Sequence, residues 1–201
     1  MSRHRWIPVL LAAALWGLAT SAGAASIDDL TVRETAGRYL IAMHAHLNAR
    51  AGDAYAVFAN LANLRSINSD LREATILGPA ALGGVRLYTV FRACVLWYCR
   101  SIRETQTMTF ARGPDGGEVD DIVLPSGGDL RSGHARWLFR SAGGQSVLEA
   151  TAEFEPAFRV PPLIGPWLVR RWLRIETERA VANIETLARS PVTSSPPRTA
   201  R

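Results

Sequence analysis

The 201-residue chain is 48% hydrophobic and 20% charged, with a formal charge of +5 carried by 23 basic side chains, all of them arginine. That length reads as one domain with extra segments at its ends, and so mild a basic excess excludes a nucleic-acid binder built on charge. The all-arginine usage reads as a GC-rich genome, although arginine also suits anionic headgroups.

The first extra segment is 1–24. MSRHRW is a basic n-region, IPVLLAAALWGLA an apolar h-region and Ala22-Gly23-Ala24 a small-residue cleavage site, which together describe a secretory signal peptide. An uncleaved membrane anchor is the rival reading, but the apolar run is short for a span. Cleavage near Ala24 removes Arg3 and Arg5 and no acid, lowering the formal charge from +5 to +3. The expected location is outside the cytoplasm, in the periplasm. At the other end 190–201, SPVTSSPPRTAR, has nothing to bury and is expected to be a disordered tail.

Between them, SIDDLTVRETAG is polar and reads as a lead-in. RYLIAMHAHLNA alternates, with Tyr39, Ile41, Met43, Ala45 and Leu47 on one face and Leu40, Ala42, His44 and His46 on the other, which is a strand. Asp53 is a candidate N-cap for AYAVFANLANL, in which Val57, Phe58, Leu61 and Leu64 share a helix face. A short turn, RSINSD, leads into six strands: LREATIL, VRLYTVFRAC, CRSIRETQTMTFAR, EVDDIVL, HARWLFRS and SVLEATAEFEP, separated by Gly-rich turns. The last element is PPLIGPWLVRRWLRIETERAVANIETLAR. No Pro or Gly interrupts 167–189, and Val169, Leu173, Ala180, Ile184 and Leu187 form one apolar stripe, with Ile164, Leu168, Trp172 and Ile175 forming a second over the first half. A helix this greasy needs a large surface, which the strands supply. The fold class is α+β.

Cys94 and Cys99 give an internal check on register. Opposed across a VLWY loop, they pair Val85 with Met108, Leu87 with Gln106, Thr89 with Glu104 and Phe91 with Ile102 on one, more apolar face. Arg86/Thr107, Tyr88/Thr105, Val90/Arg103 and Arg92/Ser101 then occupy the more polar face. Two cysteines facing each other in an exported chain are read as a disulfide. A redox-active pair is the alternative, but four intervening residues fit no common thiol oxidoreductase motif.

AYAVFANLANLRSINSDLREATIL resembles the first helices and following strand of the START-related helix-grip superfamily (SRPBCC), in its polyketide cyclase/dehydrase and coenzyme-Q-binding-protein-like branch. CVLWYCR and the IGPWLVRRWL opening of the last helix resemble exported bacterial members. The resemblance implies a curved antiparallel sheet of about seven strands gripping the long helix, over 25–189, in the order β-α-α-β6-α. It also implies a cavity for an apolar ligand, without naming the ligand or fixing the activity.

In such a sheet the VLWY hairpin, the PSGGDLRSG loop and the EPAFRVPPLIGP passage lie at one end, where ligands enter in that superfamily. Leu96, Trp97, Tyr98, Phe158 and Trp167, backed by Arg100, Arg159, Arg170 and Arg171, form a candidate membrane- or partner-docking surface. The plain alternative is that Leu96 and Trp97 fold back as a core lid or meet a second protomer. Candidate ligand-binding residues are Leu87, Phe91, Met108, Trp137, Phe139 and Phe154 from the strands, and Leu168 and Trp172 from the helix. Thr89, Glu104 and Gln106 share the inner face; buried, they need either a ligand's polar head or partners within the fold. A desolvated Glu104 would have a raised pKa and is the weak catalytic candidate.

His44 and His46 share a face, but no third ligand is near in sequence, so no metal site is assigned to them. Asp120-Asp121 beside Glu118 reads as a solvated strand. There is no GxSxG, HExxH, P-loop, CxxC or Rossmann motif, so no cofactor is expected and binding is favoured over catalysis. Three functions stay open: a carrier of a lipid-like or isoprenoid-like molecule, a cyclase/dehydrase-type enzyme, and a structural envelope protein that docks a partner.

Overall fold

The computed structural model describes residues 25–125, 128–161 and 163–190. The expected signal peptide and all but the first residue of the expected tail lie outside them. Eight strands and three α-helices follow in the order β1 Ser26–Thr35, β2 Arg38–Leu47, α1 Ala51–Ala59, α2 Leu64–Ile67, β3 Leu71–Pro79, β4 Val85–Val95, β5 Tyr98–Gly113, β6 Gly116–Val123, β7 Leu130–Ala142, β8 Gln145–Pro156 and α3 Gly165–Arg189. The strands form one antiparallel sheet in the order β1-β2-β8-β7-β6-β5-β4-β3. From β3 to β8 the chain meanders, and β2 and β1 extend the sheet beyond β8. At 1.5 Å per residue α3 is about 37 Å long. It touches β1 and β2 on one flank and β4 on the other, so the sheet curls around it. This is the expected helix-grip architecture with one strand more.

The additional strand is β1, which the sequence reading took for a polar lead-in. Ile27 and Leu30 pack against the core, yet they are three residues apart, because the register shifts between Ile27 and Asp29. That bulge at Asp28 breaks the period of two on which strand recognition depends. Ala36 and Gly37, both with positive φ, turn the chain tightly into β2. As an edge strand β1 keeps Asp28, Asp29 and Arg33 exposed, which discourages pairing with another chain.

Two local expectations also shift. Helix α1 begins at Ala51 with Arg50 as its N-cap, and Asp53 sits in the first turn as the partner of the Arg50 guanidinium at 2.8 Å. The β4–β5 connection has two residues, Leu96 and Trp97, because Val95 and Tyr98 still pair; Leu96 takes φ 56°. The register itself is the one the cysteines imply, from Val85↔Met108 to Cys94↔Cys99, and the two cysteines are bonded.

The core divides along α3. Its C-terminal half buries Ala180, Val181 and Ile184, and α1 closes the same region with Tyr55 and Phe58. Phe58 lies 4.8 Å from Trp137 and 5.6 Å from Phe139, ring centre to ring centre. Gly117 lets α1 come this close, since a Cβ there would stand 2.5 Å from the Tyr55 ring. The N-terminal half of α3 has no helix opposite it. There Ile164 and Trp167 are 60% and 47% exposed, and the space between helix and sheet stays open.

Candidate ligand-binding site

That space is a hollow of about 220 Å³. Its walls are Phe91, Ile102, Trp137, Ala152 and Phe154 from the sheet, and Trp172, Leu173, Glu176, Thr177 and Ala180 from α3. A second hollow of about 90 Å³ shares Ile102, Leu130, Phe154 and Trp172 with it. It runs toward the end of the sheet between Val95, Tyr98, Phe158, Val160 and Leu168. Close-packed interiors carry few voids larger than a water molecule, so two adjoining hollows under one helix are a feature of the design. Trp172 is held over them by its indole Nε1, which donates to Asp70 Oδ2 at 2.7 Å.

The larger hollow has one polar wall. Glu104 and Gln106 point inward from β5, as the cysteine register requires, and Thr89 Oγ1 donates to Glu104 Oε1 at 3.1 Å. Asp121 joins them from β6. With its amide nitrogen turned toward the acids, Gln106 donates to Asp121 Oδ2 at 2.8 Å and to Glu104 Oε1 at 3.0 Å. The opposite orientation would set the amide oxygen against carboxylate oxygens. No arginine lines this hollow among the described residues. Burial therefore pushes Glu104 up to about 7, against the smaller opposing effect of the Thr89 hydrogen bond. Burial, and then the neighbouring Glu104, raise Asp121 well above the usual carboxylate range. At neutral pH the wall holds protons that an exposed pair of acids would have lost.

Glu176 faces the same space from α3. Its Oε1 accepts from Arg179 Nη1 at 2.7 Å, while its Oε2 is buried without a partner. Burial raises this carboxyl too, with Arg179 opposing.

The candidate residues from the sequence separate into two groups. Phe91, Glu104, Gln106, Trp137, Phe154 and Trp172 border the larger hollow, with Thr89 behind Glu104, and Leu168 borders the smaller one. Leu87, Met108 and Phe139 do not border either; they pack in the core, Phe139 directly against Tyr55 and Phe58 of α1. Alternation assigns a residue to a face and says nothing of its height along the strand. Asp121 was read as part of a solvated strand but is half-buried and faces the hollow, since Val119, Asp121 and Val123 form the inner face of β6 while Glu118 and Asp120 point out to Arg136 and His134. That alternation was visible in EVDDIVL. Glu176 carried no comparable signal.

At the open end Leu96 and Trp97 stand 64% and 88% exposed and do not fold back as a lid. Leu163 and Ile164, which lead into α3, are 93% and 60% exposed. The guanidinium of Arg100 lies 3.6 Å over the Phe158 ring, so Phe158 is part of the support rather than of the tip. The loop between β6 and β7 is tied in: Asp129 N donates to Arg103 O at 2.7 Å and Ala157 N to Asp129 O at 2.8 Å. The three connections do meet at one end.

Comparison with solved structures agrees with this geometry. A STAR-related lipid transfer protein from Xanthomonas axonopodis superposes with TM-score 0.55 and 14% identity, covering 79% of this chain and 99% of that one. The chain has the START-like helix-grip fold. Human STARD10 shares it at TM-score 0.59 and 11% identity, over 80% of this chain and 72% of that one. So does the Zhui aromatase/cyclase of a Streptomyces species, at TM-score 0.54 and 13% identity, over 75% and 91%. No family model and no curated protein matches the sequence. In this START-like chain the hollow lies between the sheet and the N-terminal half of α3, and that half is the less buried one. No described helix is long and apolar enough to cross a membrane.

Proposed function

We propose that this protein is an exported carrier that holds one hydrophobic, lipid-like or isoprenoid-like molecule between the sheet and α3. The observation that carries the reading is the unfilled hollow with aromatic and aliphatic walls, ending on a small polar patch made of carboxyls and an amide. That is the composition of a site that buries a chain or ring and orients it by one end. The carboxyls of the patch hold protons at neutral pH and no arginine lines the hollow among the described residues, so the patch suits a hydroxyl, amine or other hydrogen-bonding end rather than a phosphate or carboxylate, whose charge nothing there would offset. The secretory n-, h- and cleavage regions and the Cys94–Cys99 bond support export. Leu96, Trp97, Leu163 and Trp167, with the Arg171 guanidinium 5.8 Å over the Trp167 ring, support loading from a membrane surface at the open end.

A second reading has an observation of its own. Glu104 is buried, hydrogen-bonded and poised near neutral pH, as a proton-transfer group would be, and one structural neighbour is an aromatase/cyclase. Glu104→Gln separates the two: a carrier keeps its ligand, and an enzyme keeps binding but loses turnover.

The direct test of the site is displacement of an environment-sensitive apolar dye. Wild-type protein is expected to take up the dye and release it to long-chain alcohols, and Ala152→Phe, which grows into the hollow, is expected to abolish uptake while unfolding cooperatively. Uptake that Ala152→Phe leaves unchanged would place binding elsewhere and overturn the reading.

A further inference from the structure

The outer face of the sheet carries a second cluster, unrelated to the hollow. His44 and His46 are alternate residues of β2, and both imidazoles point outward. Asp28 lies on β1 at the bulge, so it is the extra residue opposite them, and its side chain is aimed at the gap between the rings. One carboxylate oxygen, Oδ2, stands 2.9 Å from His44 Nδ1 and 3.0 Å from His46 Nε2. The three donor atoms all lie within 4.8 Å of one another, and the rings meet edge to face at 5.4 Å. The residues are partly exposed, with side-chain accessibility of 42–44%, so water can complete a coordination shell.

We propose that Asp28, His44 and His46 bind one divalent transition-metal ion of the zinc class, clamping the edge strand β1 to β2. Two imidazoles and one carboxylate are the donor set such ions take, with a fourth position left to water. Tetrahedral ligands about 2.1 Å from zinc are about 3.4 Å apart. The two oxygen-to-nitrogen separations in the protein are about 0.5 and 0.4 Å shorter than that and all three donor atoms lie within 4.8 Å of one another, so side-chain rotations of that scale admit the ion. The pair His134 and Asp120 serves as an internal contrast. It too is an imidazole on a carboxylate, at 3.2 Å, but without a second histidine it offers an ion only two side-chain ligands.

The test uses untagged protein stripped with chelator, titrated with Zn²⁺ by calorimetry and followed in parallel by Co²⁺ absorption. One ion per chain is expected, with an upward shift of the melting temperature on Zn²⁺ addition. Asp28→Asn and His46→Ala should each weaken binding by at least the about 10- to 100-fold known for loss of a mere second-shell partner. His134→Ala should leave it unchanged. Asp28 and His134 are exposed and His46 is half-buried on the outer face, so the variants are expected to fold, which circular dichroism checks. No heat and no Co²⁺ d–d band at millimolar metal would overturn the proposal. So would binding that survives both Asp28→Asn and His46→Ala, which would place the ion elsewhere.

Discussion

Glu104 and Asp121 share the Gln106 amide in a wall that has no arginine among the described residues, and this sets the pH behaviour of the protein. The folded pKa of Glu104, about 7, lies above its unfolded value near 4.5, so between those two the native state holds more protons than the unfolded one. Stability therefore falls as pH rises through that window, by about 3 kcal/mol for Glu104 alone, and Asp121 acts in the same direction. Glu104→Gln keeps the shape and both hydrogen-bond partners and removes the ionisation. It is expected to stabilise the fold by roughly 1–3 kcal/mol at pH 8 and to change little at pH 4. Denaturant titrations at the two pH values check this; a variant less stable at pH 8 would show that the carboxylate is compensated by a charge. Glu104 and Gln106 were legible from the sequence because two cysteines pinned a hairpin register. Asp121 was missed because two adjacent aspartates look solvated, although strand alternation must bury one of any adjacent pair on a half-buried strand. Glu176 was not legible, since its inward aim depends on how α3 is rotated against the sheet.

The β4–β5 hairpin is short, exposed at its tip and closed by Cys94–Cys99, five residues apart. In the chain-entropy account a loop of that size contributes about 2 kcal/mol. Cys94→Ser with Cys99→Ser is expected to lower stability by about that or less, and to raise hydrogen exchange selectively at 92–101. Exchange that rises equally across the sheet would argue against a local role. At the same end, Trp97→Ser and Leu163→Ser remove groups that are 88% and 93% exposed. Each is expected to change stability by less than about 0.5 kcal/mol. Together they should weaken sedimentation with anionic vesicles several-fold, whereas unchanged sedimentation would remove membrane docking from the account. Element β1 shows the limit of pattern reading. A single extra residue at Asp28 hid ten residues of strand, and with them the partner that His44 and His46 lacked in sequence. Local sequence could not supply it, because a bulge is defined by the strand opposite.

Across the whole molecule the division of labour follows α3. Its C-terminal half is packed against α1 and the sheet, and its N-terminal half spans a space that no side chain fills. The sequence showed this asymmetry only indirectly, as a second apolar stripe confined to the first half of the helix. It placed residues on the inner face, but Leu87, Met108 and Phe139 belong to the packed core and not to the walls of the hollow, and how far along a strand the packing extends is a tertiary fact. Phe58→Ala and Ala152→Phe therefore probe opposite ends. The first opens a cavity in the packed end and should cost about 3–5 kcal/mol with little effect on dye uptake. The second should do the reverse, and equal effects on both quantities would mean that the two ends are not distinct.

The measurement that bears most directly on the central claim is mass spectrometry of an organic extract from the protein purified without detergent. The account predicts close to one equivalent of a single hydrophobic class per chain, carrying a hydroxyl or amine rather than a free acid, and its absence from extracts of Ala152→Phe. Protein that carries nothing and takes up no added lipid would contradict it.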